Sequence, residues 1–584
     1  MPIDHHHFSS ALRGFVQPFG LSLIGLTLSV GCANGESRDA LREAAGSGSV
    51  SEGGGAPGPT TGGSGGAPAS SSSLPARIRR LTNAEYDASV RVLLDVSEPP
   101  SVSFSFPPDS KQGPHNSPAG AAFTFNDAQR VDPVLADKLD TAAQAVVAKA
   151  RESGKLASLA PCDKTDAAGS EACAQSFIES FGARAFRRPL NGDESAGLLQ
   201  AYHVGADGYT YAEGVDLTLR VMLQSPGFLY VTEIGAVGSG PAFVMTSDEI
   251  AASLSYLLTA EPPDAALLTV AASGSLTTAE ARESEAKRLL ATPAGGERFV
   301  RVVREWLGID DVARREKSQN VYPDFANVSK SMEAESRAFI AEVLNHSQGT
   351  LAELLTANWT IADPALAKVY GVETAGDGRR YSLDGVKRRG ILNQGAFLSV
   401  FAGNNGSHPV FRGVALMRRL ACIELPDPGS QGIVVSFPPT DNSKTTRIRF
   451  EAHAQDVRCK GCHTTIDNFG FMFENFDGMG RERSEENGLK IDTKVTVNVG
   501  ADFDGSYADS SEFTSALAKS DAIKACMARQ IFRSSVGRSD ASVADAESAF
   551  VETWKQLPTE QQGRLADVLI AFVKNPTFVQ RRTP

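Results

Sequence analysis

The sequence has no excess of basic residues and no hydrophobic run long enough to span a bilayer. Its 584 residues carry 57 Lys and Arg against 69 Asp and Glu, a net charge of -12. The basic surface of general nucleic-acid-binding proteins is therefore missing, and we expect no nucleic acid partner. With 41% hydrophobic and 22% charged residues, the composition is globular. It excludes a wholly disordered chain and a protein with many membrane spans.

Common catalytic signatures are absent as well. The sequence contains no H-E-x-x-H, no Walker loop and no G-x-G-x-x-G that opens a helix. It therefore does not predict a metalloprotease, a P-loop nucleotidase or a dinucleotide-dependent enzyme. The length alone predicts about three to five domains.

The first 32 residues have the pattern of an export signal. A short apolar run, Leu21–Val30, is followed by Gly31 and Cys32, which resembles the lipobox of bacterial lipoproteins, although Ser29 stands where Leu is more common. We expect cleavage before Cys32 and acylation of its thiol, with Ala33 favouring the outer membrane, on its periplasmic or surface side. The alternative is an ordinary cleaved signal peptide. Residues 33–76, rich in Gly, Ser and Pro, then predict a disordered linker to a lipid anchor.

Four further cysteines lie in the body of the chain: Cys162, Cys173, Cys422 and Cys526. An even number in an exported protein predicts disulfides, and four cysteines allow three pairings. We favour Cys162 with Cys173, because they are close in sequence, and Cys422 with Cys526 by elimination. The alternative is four buried free thiols.

The most specific motif is C-K-G-C-H, at Cys459, Cys462 and His463. Covalent attachment of haem needs two thiols a short loop apart and an adjacent imidazole that reaches the iron. One covalent haem c is therefore predicted, with His463 as an axial ligand. The alternatives are a thioredoxin-like pair, which lacks a surrounding βαβ pattern, and half of a zinc site, which lacks a second C-x-x-C.

The segment after this motif reads T-T-I-D-N-F-G-F-M-F-E-N-F-D-G-M-G-R-E-R. It resembles the haem-bearing segment of large planctomycete and myxobacterial secreted proteins built from PSD and PSCyt domains of unknown function. Similar motifs are R-R-L-T-N-A-E-Y-D from Arg79, R-A-F-R-R-P from Arg184, D-E-I-A-A-S-L-S-Y-L from Asp248 and H-P-V-F-R-G from His408. The resemblance covers about residues 77–582. It implies an architecture but no activity, because the family has none established.

We expect a mainly α protein of several helical-bundle modules plus a small cytochrome c-like haem segment with minor β structure. Capping boxes support the helices, since Thr82, Thr246, Thr277 and Asp509 are each followed by Glu three positions later. The sequences that follow Thr82 and Thr246 align without gaps, which suggests a duplicated unit. The expected organisation is a signal peptide (1–32), a linker (33–76), helical modules (77–155, 160–236, 244–372 and 383–430), a haem segment (431–500) and a C-terminal helical module (505–582).

Within the haem segment we expect the attachment motif at the end of a helix that includes Phe450 to Val457. We also expect a hairpin-like element beside the haem, formed by the segments 432–437 and 494–499.

The sixth haem ligand stays open between His408, His453 and Met479. His453 and the H-P-V-F-R-G segment of His408 recur in the related pattern. Arg481 is a candidate contact for the haem propionates. For Asp467 and Asp477 the sequence favours local turns over a role in orienting His463.

Together these features predict an exported, lipid-anchored monohaem c-type cytochrome that transfers electrons to an envelope redox partner. Two alternatives remain open. One is a haem-dependent oxidoreductase or peroxidase with an open iron site. The other is an envelope binding scaffold with a structural haem.

Overall fold

The computed structural model describes residues 73–112, 123–124, 130–236, 240–346, 349–372, 380–384, 387–426, 429, 437–455, 457–537 and 541–583. Cys32, the linker up to residue 72, and residues 432–436 of the expected hairpin lie outside them. Helices dominate and strands are few and short, so the prediction of a mainly α protein with minor β structure is confirmed.

The N-terminal half is a helical bundle with a hydrophobic core of its own, built around Val90, Leu139, Phe181 and Leu219. Its helices are α1 (Asn83–Leu94), α2 (Pro100–Ser103), α3 (Pro133–Glu152), α4 (Lys155–Leu159), α5 (Ala167–Phe186), α6 (Gly192–Ala206), α7 (Tyr211–Gln224) and α8 (Pro226–Leu229).

Most of the remaining helices share a second hydrophobic core, which extends from Leu74 to Val579 and includes the segment around Phe469. They are α9 (Ser247–Thr259), α10 (Ala265–Ala272), α11 (Ala279–Leu290), α12 (Pro293–Leu307), α13 (Phe325–His346), α14 (Leu351–Thr356), α15 (Pro364–Tyr370), α16 (Gly395–Val400), α17 (Pro409–Ala415), α18 (Thr446–His453), α19 (Val457–Phe471), α20 (Ser510–Leu517), α21 (Asp521–Val536), α22 (Ala544–Lys555), α23 (Thr559–Gln562), α24 (Leu565–Lys574) and α25 (Pro576–Val579).

The strands form small separate sheets. They are β1 (Leu74–Pro75), β2 (Arg77–Arg80), β3 (Lys111–Gln112), β4 (Phe123–Thr124), β5 (Tyr230–Glu233), β6 (Ala242–Val244), β7 (Trp359–Ile361), β8 (Arg380–Ser382), β9 (Glu485–Glu486), β10 (Leu489–Lys490), β11 (Val495–Val497), β12 (Gly505–Tyr507) and β13 (Gln580–Arg582). The largest sheet has the order β1-β13-β6, in which β1 pairs in parallel and β6 in antiparallel with β13.

The capping boxes at Thr82 and Thr246 are confirmed, each with its Glu side chain bonded to the cap amide. The capping box predicted at Thr277 is wrong, because the helix begins one position later. Thr278 caps that helix instead, because Ser275–Thr277 form a separate 3-10 turn that ends there. Asp509 caps α20, but the side chain of Glu512 accepts from the amide of Ala508 rather than from that of Asp509.

The two segments that align in sequence also have the same arrangement in the fold. Strand β2 precedes α1 and pairs antiparallel with β5, and β6 precedes α9 and pairs antiparallel with β13. Both β5 and β13 follow a short helix with proline at its first position. Glu233 on β5 bonds to Arg77 of β2 and to Arg581 of β13, so one buried carboxylate connects the two units.

The sequence predicted that the C-K-G-C-H motif would lie at the end of the helix that contains Phe450. This prediction is wrong. That helix, α18, ends at His453, where the amide of Ala454 bonds to the carbonyl of Phe450. A new helix, α19, begins at Val457. The motif therefore occupies the first half of α19. The strand predicted in the segment 494–499 is present as β11, but its partner is β12 rather than the segment 432–437, of which the structure describes only Phe437 and shows it outside any strand. The side chain of Asn468 on α19 donates to the carbonyl of Thr496, so β11 lies beside the motif helix.

Candidate haem-attachment site

Helices α17 and α19 pack so closely that glycine is required at both contact points. A β-carbon on Gly413 would overlap the carbonyl oxygen of Ile466, and one on Gly470 would overlap that of Pro409. Backbone cannot move aside as a flexible side chain can. This contact joins the H-P-V-F-R-G segment to the C-K-G-C-H helix and explains the glycine of the first segment, Gly413, and Gly470 one to two turns after the C-K-G-C-H motif.

The three residues of the attachment motif share one face of α19, since they are three and four positions apart on a helix. Cys459 and Cys462 are half-buried free thiols, not bonded to each other. His463 follows directly, with 18% of its side chain exposed. Both thiols and the imidazole are therefore within reach of the same surface.

One turn further along α19, Asp467 lies beside His463. Its Oδ1 is 2.9 Å from Nδ1 of the imidazole, and Asp467 is buried. Because an ionised carboxylate only accepts hydrogen bonds, the proton belongs on Nδ1. The lone pair is then on Nε2, which is the tautomer typical of histidines that bind a metal through Nε2.

His408 caps α17 and is buried among aromatic rings. Its imidazole stacks on Phe411 at 3.7 Å between centroids and meets Phe437 and Phe450 edge-on. Its Nδ1 accepts a hydrogen bond of 3.3 Å from the amide of Phe411, and its buried Nε2 has no partner within the described residues. Burial and the nearby Arg412 lower the pKa of His408 to about 3, so the imidazole is neutral.

Next to His408 the surface is unusually apolar. Phe411 and Phe437, both in contact with its imidazole, each expose more than a third of their area. Large apolar side chains that gather around a buried, unpartnered polar atom are typical of a ligand-binding surface.

Behind this surface the buried Arg412 and Glu474 and the partly buried Arg483 form an ionic network that holds the segment after the motif. Arg412 on α17 donates to the backbone carbonyls of Phe473, Phe476, Leu398 and Asp477. The Glu474 carboxylate lies 3.7 Å from Arg412 and 3.3 Å from Arg483, and it accepts from the hydroxyl of Ser407. Burial raises the pKa of Glu474 although both arginines oppose that change.

The other predicted site residues have different surroundings. Met479 is buried in the hydrophobic core. Arg481 is about half exposed, bonds to Asp477 and lies over the ring of Tyr322. His453 is the last residue of α18, but its side chain lies outside the described part of the chain, as does Cys32. Asp477 accepts from the amides of Met479 and Arg481, consistent with the turn that its sequence context favoured.

Both predicted disulfides are present. Cys162 pairs with Cys173 at the start of α5, and Cys422 pairs with Cys526 on α21. The alternative of four free thiols is therefore wrong. Disulfides are typical of exported proteins, and this chain is an exported protein.

Among the residues that the structure describes, no helix is both long enough and apolar enough to cross a membrane. The same residues contain no group of three or more His, Cys, Asp or Glu that would hold a metal ion. A haem iron takes four of its ligands from the porphyrin, so the haem prediction does not depend on such a cluster.

Two features of this site were not predicted from the sequence. The first is Asp467, assigned to a turn, although its spacing of four from His463 on a helix was a usable signal. The second is the contact between α17 and α19, together with the Arg412 network. Nothing in the local sequence shows which arginine will be buried or which helix will pack against the motif.

Four family models match the chain. They are PSD3, a protein of unknown function (DUF1587), at residues 79–152; PSD5 (DUF1595) at 173–233; PSD4 (DUF1592) at 245–372; and PSCyt3 (DUF1588) at 388–486, the last two families likewise of unknown function. The PSCyt3 match includes both the H-P-V-F-R-G and the C-K-G-C-H segments. No curated protein and no solved structure matches the chain.

Proposed function

Because the chain is built from three PSD domains and one PSCyt domain, we propose that it is an exported, lipid-anchored c-type cytochrome that transfers electrons in the cell envelope. The observation that carries the proposal is the geometry of α19. Two free thiols and His463 share one face, and Asp467 bonds to Nδ1 of the imidazole, which leaves the lone pair on Nε2.

The residues present fit one covalent haem. Cys459 and Cys462 would form its thioether bonds, and His463 would be its axial ligand. The exposed Phe411 and Phe437, whose rings meet edge-on, offer an apolar surface that suits a porphyrin face. Bound in this way, the haem would supply one-electron transfer between ferrous and ferric iron.

The protein's own part would be to hold the site rigid. Arg412 and Glu474 lock the loop after α19, and the glycine contact holds α17 against it. Among the candidates for the sixth ligand, His408 has the strongest support, because its buried Nε2 has no partner among the described residues. Arg481, half exposed, remains a proposed contact for the propionates.

A second candidate function is a haem-dependent oxidoreductase with an open iron position. The bond between the Phe411 amide and Nδ1 of His408 favours it. With Nδ1 as the acceptor, the proton of the neutral imidazole is on Nε2, the atom that would have to bind the iron. His408 would therefore need to give up this bond in order to become a ligand.

The test of haem attachment is the double variant Cys459→Ala/Cys462→Ala, produced in an exporting host with a c-type maturation system. We expect the unaltered protein to keep its haem spectrum after denaturation and the variant to lose it. The matched control is Cys162→Ala/Cys173→Ala, which also removes two cysteines and should keep the haem. A variant that retains haem through denaturation would contradict covalent attachment.

Optical spectra with and without cyanide separate the two functions. A low-spin spectrum that does not respond to cyanide supports electron transfer with six ligands. A high-spin spectrum that shifts on cyanide addition supports the enzyme.

A further inference from the structure

The acceptor of the His463 Nδ1 proton is a carboxylate rather than a backbone carbonyl. Asp467 is on the same helix, 2.9 Å away, and only 4% of it is exposed. Surface ion pairs at this spacing leave both groups in water and contribute only a few tenths of a kcal/mol. A buried carboxylate beside an imidazole has a stronger effect, because a low local dielectric strengthens its field at the ring.

A negative charge at this position acts on whatever metal Nε2 binds. Hydrogen bonding from Nδ1–H to a carboxylate makes the imidazole more basic and a stronger electron donor. Stronger donation stabilises ferric iron more than ferrous iron, because the ferric ion carries the greater charge. The reduction potential of the haem should therefore fall.

On the basis of the function proposed above, we propose that Asp467 is a positioning residue that orients His463 through Nδ1 and lowers the reduction potential of the haem. It acts only through His463. The site is then suited to an electron donor of low potential, or to an enzyme that stabilises oxidised iron.

The experiment is a redox titration of the full-length, haem-loaded protein and its Asp467→Asn variant. Asparagine has nearly the same shape and can still accept a hydrogen bond, but it carries no charge. We expect the potential to move upward in Asp467→Asn and to return towards the original value in Asp467→Glu, which restores the charge.

The control is Glu85→Gln. Glu85 is also a buried carboxylate on a helix and bonds to Arg79, but it belongs to the N-terminal bundle. Its substitution should leave the potential unchanged, which separates a local effect from the general loss of one buried charge. An Asp467→Asn protein with the potential of the Glu85→Gln control would overturn the proposal.

Two further outcomes keep the result interpretable. Should Asp467→Asn fail to fold, Asp467→Ser replaces it, and an unchanged potential in that variant also overturns the proposal. If the unaltered protein carries no covalent haem, the proposed function fails first. That failure is visible in the denatured spectrum before any potential is measured.

Discussion

Gly470 on α19 lies directly against the carbonyl oxygen of Pro409 on α17, with no room for a β-carbon between them. The two helices therefore approach at backbone distance. Together with the matching contact of Gly413 on Ile466, this contact sets how α19 lies against α17.

The first prediction concerns this contact. Gly470→Ala should destabilise the protein by about 1–3 kcal/mol or more, because the added methyl group overlaps backbone that cannot rotate away. The control is Gly461→Ala on the same helix, where nothing lies within 4 Å of a β-carbon. That change should be neutral or stabilise by up to about 1 kcal/mol through helix propensity. Urea denaturation midpoints measure both, and equal midpoints would contradict the close approach.

The second prediction concerns Glu335, which is buried and accepts hydrogen bonds from Thr360 and Tyr370. Burial raises the pKa of Glu335 from 4.5 to about 7. The folded state therefore holds this proton where the unfolded state has lost it. The contribution to stability is complete below about pH 4.5 and is lost as the pH rises to about 7.

Glu335→Gln removes this titration while keeping the shape of the side chain. We expect the fall in the free energy of unfolding between about pH 4.5 and 7 to become shallower in the variant, by an amount on the order of 3 kcal/mol. Denaturation midpoints across this range are the measurement. Parallel curves for the two proteins would show that Glu335 titrates normally.

The third prediction compares the disulfides. Cys422–Cys526 closes a loop across 104 positions and Cys162–Cys173 a loop across 11. In the chain-entropy view, the longer loop constrains the unfolded state more. Replacing both cysteines by Ala should cost roughly 4–5 kcal/mol for the first pair and roughly 3 kcal/mol or less for the second. Thermal unfolding of the two double variants checks the order, and the reverse order would contradict the argument.

The fourth prediction concerns the lipid anchor. Cys32→Ala should abolish incorporation of a labelled fatty acid, because the thiol is the expected site of acylation. The matched control is Cys162→Ala/Cys173→Ala, which should incorporate the label normally. Labelling that persists in Cys32→Ala would mean that the export signal is an ordinary one.

Local patterns in the sequence were sufficient for several features. The capping boxes at Thr82 and Thr246 involve residues close in the chain, and the strand predicted in the segment 494–499 is present as β11. Their physical causes, a side-chain oxygen over free amides and the alternation of β-branched residues, act over a few residues. The pairing of Cys162 with Cys173 was also predicted from their closeness in sequence, and the pairing of Cys422 with Cys526 followed by elimination.

Other features depend on contacts between distant segments, and only the tertiary structure decided them. The pairing of β6 with β13 joins residues more than 300 positions apart. The burial of Arg412 depends on carbonyls in two other segments, and the end of α18 at His453 has no marker in the local sequence. Asp467 carried a spacing signal, but only its burial distinguishes a partner of His463 from a surface pair. The sequence by itself thus determined the helical class and which cysteines are available for disulfides, because these depend on residue type and local pattern. The tertiary structure decided which groups surround the C-K-G-C-H motif, because burial and charge are properties of the packed chain.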